Sequence, residues 1–494
     1  MHPTPIAVDQ LEVAADPLAP PPPHSPLDSP LAALASWLVA NGAVGLDGDG
    51  PRVSLYVDGD ARGVLALESV AEGEELFSVP ARLALTDAPT LELPLTTPWT
   101  TRLACRVLDE VERGGASPWA PYLAALPAAP LRTPAGGGLP ASLASLLPCP
   151  GARADYEESA AAPALELAAL PHGARAAPAF TWARALATSR ALGLAAPGGA
   201  VGVRAMVPLL DMVNHAGVEA ELTLSGPCAA TANAEWEPVP TPDGAGVSRF
   251  AVYATRDIGA GEEVTFSYGD RPNGDLLASW GFVPPRNAAD GVALFLGGVE
   301  EALDWAAEHC PVGGGGERGL RAAALAAAAA AAAADPSLPP RLHLWPGAGV
   351  DPRLAAALEA VGGAAHARAV VAARAAALLS ANPAPPLIPL LGELGRAEGH
   401  EEERHYYTAL ARRYIAASAA VAAGGGDPGA GGAAQPPKPA ADRAGWRAAR
   451  LLALRAAAYS LMILWDCVAA RGKEVAAAER EGEERGERAA AAAG

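Results

Sequence analysis

Two stretches of the chain repeat one pattern of apolar and polar positions. Leu65–Pro80 reads LALESVAEGEELFSVP, and Val252–Tyr268 reads VYATRDIGAGEEVTFSY. Both run strand-like residues, then Val70 or Ile258, then Gly-Glu-Glu, then a second β-rich run. Gly73 and Gly261 suit turn positions with positive φ, so each copy is expected to form a turn between two short strands. The stretch between the copies is helical in texture: Phe180–Leu192 spaces Trp182, Leu186 and Ser189/Arg190 along one face. After Gly281 the pattern becomes helical throughout. Tyr407, Leu410 and Tyr414 fall at helical spacing, as do Leu451, Leu454, Ala458, Leu461 and Trp465. The order β, α, β, then α predicts an α+β chain: an irregular β-rich domain over 31–285 with a helical insert at about 95–205, then an all-α domain over 286–473.

Composition modifies this outline at the loops. The 53 glycines and 48 prolines collect in inserts rather than in the periodic segments. Residues 1–30 form a Pro-rich tail expected to be disordered. Leu126 to Arg153, Pro227 to Val247 and Gly313 to Pro340 read as loops, the last with a polyalanine run of helical character. Gly424 to Pro439 reads as a flexible linker and 474–494 as a charged tail.

A net charge of −19 argues against binding along a nucleic-acid backbone, which needs a basic stripe. The five cysteines have no paired spacing, so neither a thiolate zinc site nor a disulfide framework is indicated, and reduced thiols in an intracellular compartment are expected. The best membrane candidate, Leu451 to Ala470, is interrupted by Arg455 and Asp466, so no membrane partner is expected. The N-terminal stretch has no apolar run and no arginine or lysine before Arg52, which fits neither a secretory signal nor a transit peptide. A soluble protein of the cytoplasm or the chloroplast stroma is the expectation.

Two segments concentrate unusual side chains: PLLDMVNHAG (Pro208–Gly217) and TFSYGDRPNGDLLASWGFV (Thr265–Val283). Asn214 and His215 offer an amide and an imidazole that can fix a ligand by paired hydrogen bonds. Taken singly, the pair also suits a turn cap, Tyr268 a half-buried core position, and Asp211 with His215 a solvated pair. Asp211 and His215 have no further ligand beside them, so no metal is expected. Ser267 lacks a nucleophile elbow, and Gly198–Gly202 is no dinucleotide fingerprint.

In combination and order, these segments resemble the SET-domain methyltransferases. The closer likeness is to the branch typified by the plant Rubisco large-subunit lysine methyltransferase. RGVLALESVAEGEELFSVP resembles its first β segment; DMVNH with FSYGDRPNGDLLASWGFV resembles its signature end. The resemblance covers about 52–90 and 180–283 and implies S-adenosyl-L-methionine as methyl donor. It implies that Ala61, Arg62 and Gly63 pack against the donor, that Asp211, Asn214, His215 and Trp280 belong to its site, and that the Asn-His strand is threaded under the Ser-Tyr-Gly segment. Tyr268 is implied at the transfer point, and Arg190, Leu192 and Phe266 beside the substrate side chain. The implied reaction is methylation of a lysine amine, with a helical C-terminal domain that docks the protein substrate.

Trp280 stands where the family often has tyrosine, which leaves the number of methyl groups open. The insert Pro227–Val247 prevents placing an aromatic usual in that region. The zinc-binding cysteine cluster that follows many histone-directed SET domains is absent, which points to a non-histone substrate: Rubisco, another plastid enzyme, a ribosomal protein or a cytosolic protein. Protein-histidine N-methylation is a variant, against which Leu192 argues. A SET-like scaffold without transfer activity is the alternative from another class.

Overall fold

The computed structural model describes residues 30–46, 51–58, 61–170, 175–194, 202–216, 232–243, 246–284, 287, 289–312, 317–335, 338, 341–345, 349–381, 449–461, 463–464, 467–468 and 477. The chain divides into two compact units that interleave along the sequence. One takes 1–139, 158–270 and 284–288; the other takes 140–157, 271–283 and 289–494. Segments 140–157 and 271–283, inside the stretch read from the sequence as the first domain, thus belong to the second unit. The expected 1–30 tail (save Pro30), the 424–439 linker, the helical spacing of Tyr407, Leu410 and Tyr414, and nearly all of the 474–494 tail lie outside the described residues.

The first unit opens with α1 (Pro30–Ala40), which has proline at its first position, where no amide bond is lost. It buries Leu34, Trp37 and Leu38, one helical face. The strands β1 (Val53–Asp58) and β2 (Ala61–Ala66) follow as an antiparallel pair, then β3 (Glu75–Pro80) and β4 (Leu85–Thr86). Helices α2 (Trp99–Glu112), α3 (Ala120–Ala125), α4 (Pro150–Ala168, whose first turns belong to the second unit) and α5 (Ala177–Arg190) form the insert. The chain then returns to strands: β5 (Leu192–Leu194), β6 (Val203–Met206), β7 (Asn214–His215), β8 (Ala234–Pro240), β9 (Val247–Ala254) and β10 (Glu263–Phe266). Three small sheets result, ordered β1-β2-β10-β7, β3-β9-β8 and β4-β6-β5, around a core that contains Val64, Phe77, Phe180, Leu186, Phe250 and Val264.

The repeated pattern is a structural repeat as well. Val70 and Ile258 pair with each other, Gly73 N–H donates to Ala254 O at 2.8 Å, and Gly261 N–H donates to Ala66 O at 2.7 Å. Ala254 N–H to Glu74 O and Ala66 N–H to Glu262 O, both 2.9 Å, complete the exchange. Gly73 and Gly261 have φ of 82° and 83°, as their turn positions require.

Two expectations are corrected here. Pro227–Val247 is not simply a loop: Ala234–Pro240 pairs along its length with β9, and its Trp236 ring meets Phe250 edge-on. Helix α5 also turns differently from its predicted face. It buries Phe180, Ala183, Arg184, Ala185, Leu186 and Ala187, while Trp182 is half-buried. Arg184 can be buried because it donates to Glu166 at 2.9 Å, a carboxylate that also accepts from Thr100 and Thr101.

The second unit is mainly helical, with α6 (Asn273–Trp280), α7 (Gly298–His309), α8 (Glu317–Ala334) and α9 (Pro352–Ala381), and residues 449–461 are helical as well. It is not all-α. Strands β11 (Val292–Phe295), β12 (Leu342–Trp345) and β13 (Gly349–Val350) form an antiparallel sheet. Helix α6 stops at Gly281, whose φ of 77° lets its N–H cap Leu276 O at 3.0 Å. Among the described helices, α9 rather than the Leu451 region is long and apolar enough to cross a membrane. Gly363 (φ 78°, ψ 173°) breaks it, and Leu354, Leu358, Val370 and Leu379 enter the unit's apolar core, as suits a core helix.

Candidate active site

The site is built in the first unit around β7. Its two residues lie parallel to the end of β10, Asn214 opposite Thr265 and His215 opposite Phe266. Strand β10 pairs on its other edge with β2, Val264 opposite Val64. Asn214, His215, the Gly63 segment and the chain leading to Tyr268 are thus brought to one sheet by pairing between distant segments.

The Asn214 amide joins the strands. Its Nδ2 donates to Arg62 O at 2.6 Å and to Glu263 Oε1 at 2.7 Å. The same Glu263 oxygen accepts from the Tyr56 hydroxyl at 2.7 Å. Gly63 lies against this group: a Cβ there would sit 2.5 Å from the Tyr56 ring and 2.6 Å from Glu263 Oε1. A side chain there would displace the Tyr56 ring or the Glu263 carboxylate. The Arg62 guanidinium donates to Ala125 O at 2.6 Å; burial, and then Arg190, pull its pKa down.

Asp211 lies on a short 3-10 turn, Leu210–Met212, directly after a strained residue. Leu209 has φ 71° and ψ −50°, a γ-turn geometry that a buried leucine adopts only under constraint. The Asp211 carboxyl is fully buried. Its Oδ2 accepts from the Tyr122 hydroxyl at 2.7 Å and meets Arg190 at 3.5 Å, and Arg190 also donates to Asp211 O at 2.9 Å. Asp211 Oδ1 is buried without a hydrogen-bond partner among the described residues. Burial pushes the Asp211 pKa up, and Arg190 followed by Tyr122 oppose it.

Tyr268 closes the arrangement from the turn after β10. Its N–H donates to His215 Nδ1 at 3.0 Å, which makes Nδ1 an acceptor and leaves the proton of a neutral ring on Nε2. Its hydroxyl donates to Val213 O at 2.9 Å. The Tyr268 ring lies 5.2 Å from the His215 ring and 5.7 Å from Phe266. Burial pushes the hydroxyl pKa up to about 12, so it is a neutral donor through the physiological range.

Of the residues singled out from sequence, Arg62, Gly63 and Asn214 meet around Glu263, His215 and Phe266 meet Tyr268, and Asp211 pairs with Arg190. Leu192, at the start of β5 opposite Ala205, packs on the same core as Phe266 and Tyr268. Ala61 begins β2 opposite Asp58, and only its backbone is described. Trp280 belongs to the second unit, where the Arg271 guanidinium lies over its ring at 4.9 Å and reaches Asp275 at 2.7 Å. Sequence reasoning passed over Glu263, Tyr56 and Tyr122. Glu263 stood inside the repeated Gly-Glu-Glu; nothing local marks the other two.

Residues 61–269 match the SET domain family model. No curated protein matches the sequence. Among solved structures, the SET domain of LSMT bound to lysine and AdoHcy is similar in fold: TM-score 0.55 at 15% identity, over 91% of this chain and 92% of that one. Rubisco LSMT bound to AdoMet is found with TM-score 0.48 at 14% identity, over 91% and 92% of the two chains.

Proposed function

We propose that the chain transfers a methyl group from S-adenosyl-L-methionine to the side-chain amine of a lysine in a non-histone protein. The observation that carries this reading is the convergence of Asn214, His215 and Tyr268 within a SET domain. Tyr268 is bonded to His215 through its N–H and to the Val213 carbonyl through its hydroxyl.

The residues present suit such a donor, which carries an ammonium, a sulfonium and a carboxylate. Asp211 Oδ1 is a buried acceptor with no partner among the described residues. Leaving such a group unpaired is costly, so a cationic or N–H group of a ligand fits there. Glu263 adds a second carboxylate, and Arg190 and Arg62 supply positive charge. Asn214, His215, Asp211 and the Arg62–Gly63 backbone would hold the donor. When bound, it supplies a methyl group activated by positively charged sulfur.

The protein's own part is orientation. A lysine amine has an ordinary pKa near 10.4 and must lose its proton before it attacks. The apolar surroundings of Phe266 and Leu192 disfavour the ammonium form and lower that pKa. Tyr268 remains protonated and acts as a fixed hydrogen-bond donor and dipole, not as a base.

Calorimetry with S-adenosylmethionine, followed by transfer of labelled methyl groups into a cell extract, tests the reading. Binding with label on a lysine of a non-histone protein supports it. Absence of binding favours a scaffold without transfer activity, and label on histidine redirects the substrate assignment.

A further inference from the structure

Tyr122 lies outside every motif that marks the site, yet its hydroxyl is aimed at it. It sits in α3, 1% exposed, and donates to Asp211 Oδ2 at 2.7 Å. Packing alone would be served by phenylalanine; a buried hydroxyl is retained where it has a partner to satisfy. We infer that Tyr122 is a positioning residue of the transfer site: its hydroxyl holds the Asp211 carboxylate in place against Arg190, beside Tyr268. This rests on the methyl-transfer reading above.

Among the described residues, few groups face Asp211. Tyr122 comes from α3, Arg190 from α5, and Tyr268 from the turn after β10; Arg62 acts on Arg190. Arg190 is 3.5 Å from Oδ2, and Oδ1 has no partner, so the Tyr122 hydroxyl makes the short bond to this carboxylate. Burial, and then the Asp211 charge, push the Tyr122 pKa far up, so it is always a donor. Without it, the buried carboxylate would take up a proton at higher pH, and Arg190 would lose its counter-charge. The strained Leu209 at the entry to this turn fits a carboxylate whose placement is constrained rather than incidental.

The test compares Tyr122→Phe with wild type across pH, first by thermal unfolding without any ligand. Asp211 has a raised pKa in the folded protein, and the variant raises it further. Its deficit in Tm should therefore be smallest at acid pH and grow as pH rises. In transfer assays kcat/KM should fall roughly tenfold at neutral pH, equivalent to about 1.4 kcal/mol, with the acid limb moved to higher pH. A deficit that is flat with pH, or an unshifted acid limb with unchanged kcat/KM, overturns the inference. Should Tyr122→Phe fail to fold, the same change is made with Asp211→Asn. Recovery of folding in the double variant supports the inference, because the unpaired buried charge has been removed; failure in both assigns Tyr122 to packing. If wild type neither binds the donor nor transfers methyl groups, the function reading falls. The ligand-free unfolding comparison still decides whether Tyr122 holds Asp211.

Discussion

Val70 and Ile258 each donate a backbone N–H to the other's carbonyl, both at 2.9 Å. They occupy equivalent places in the two repeated segments, and the flanking bonds from Gly73 and Gly261 are exchanged in the same reciprocal way. The repeat is therefore a self-complementary contact. It sets β2 against the start of β10, and the end of β10 carries β7 and leads to Tyr268.

The two turn glycines give a first prediction. Gly73 and Gly261 have positive φ but open space where a Cβ would go. Gly73→Ala and Gly261→Ala should each cost about 1–2 kcal/mol from backbone strain alone. Gly45→Ala should cost more, because its Cβ would also lie 2.4 Å from Leu76 O. Midpoints of urea unfolding rank the three, and equal losses would remove the distinction between strain and clash.

For Tyr268, the prediction separates orientation from base catalysis. Tyr268→Phe removes the bond to Val213 O while the N–H bond to His215 stays. Transfer should fall on the order of 100-fold, typical of losing one fixed donor at a reacting centre, with folding retained. Because the hydroxyl pKa is about 12, wild type should show no limb between pH 6 and 9 that disappears in the variant. Such a limb in kcat/KM against pH would restore the base.

The repeat was legible in the sequence because a turn with positive φ needs glycine, and that need writes Gly73 and Gly261 into both copies. Asn214, His215 and Tyr268 were legible from their order along the chain. Tyr122 and Glu263 were not, because their partners are set by packing between remote segments; a tyrosine in α3 looks the same whether it meets a carboxylate or solvent. The buried face of α5 was not legible for a related reason, since the burial of Arg184 depends on Glu166 in another helix. The strands β11 to β13 are two to four residues long, too short for alternation to outweigh the surrounding alanine-rich helices. Strand β8 was hidden by the prolines of its own insert. Its Pro238 and Pro240 suit an edge strand, and β8 lies at the edge of its sheet.

Asn214 links two strands through one amide nitrogen, which makes its variants informative. Asn214→Ala leaves Glu263 with Tyr56 and leaves the Arg62 carbonyl without its side-chain donor. A loss of about 1–3 kcal/mol in stability is expected, with donor affinity weaker by roughly tenfold or more. Asn214→Asp should be worse on both counts, because it faces a carboxylate with a second one. Calorimetry and thermal unfolding of the two variants settle the order. Asp tolerated better than Ala would remove Glu263 as the partner that sets this order.

Asp290 gives a pH prediction independent of the transfer site. It is buried in the second unit and accepts from Asn273 N–H at 2.8 Å, the Asn273 amide at 2.9 Å and Gly291 N–H at 3.0 Å. Its titratable neighbour is Cys149, whose own thiol is pushed up to about 12. Burial, only partly opposed by these donors, pushes the Asp290 pKa up to about 7. In the unfolded chain the carboxyl titrates near 4, so between about pH 4 and 7 the folded state holds a proton that the unfolded state has lost. Stability from this group is present at low pH and declines as pH rises through that window, by on the order of a few kcal/mol at most. In Asp290→Asn the side-chain oxygen can keep both backbone N–H bonds, and a turned Asn273 amide can accept from the new NH2 group. The variant should therefore match wild type near pH 4 and exceed it increasingly up to pH 7 in denaturant unfolding. A difference between the two that stays constant from pH 4 to 8 would show that Asp290 is ionised throughout.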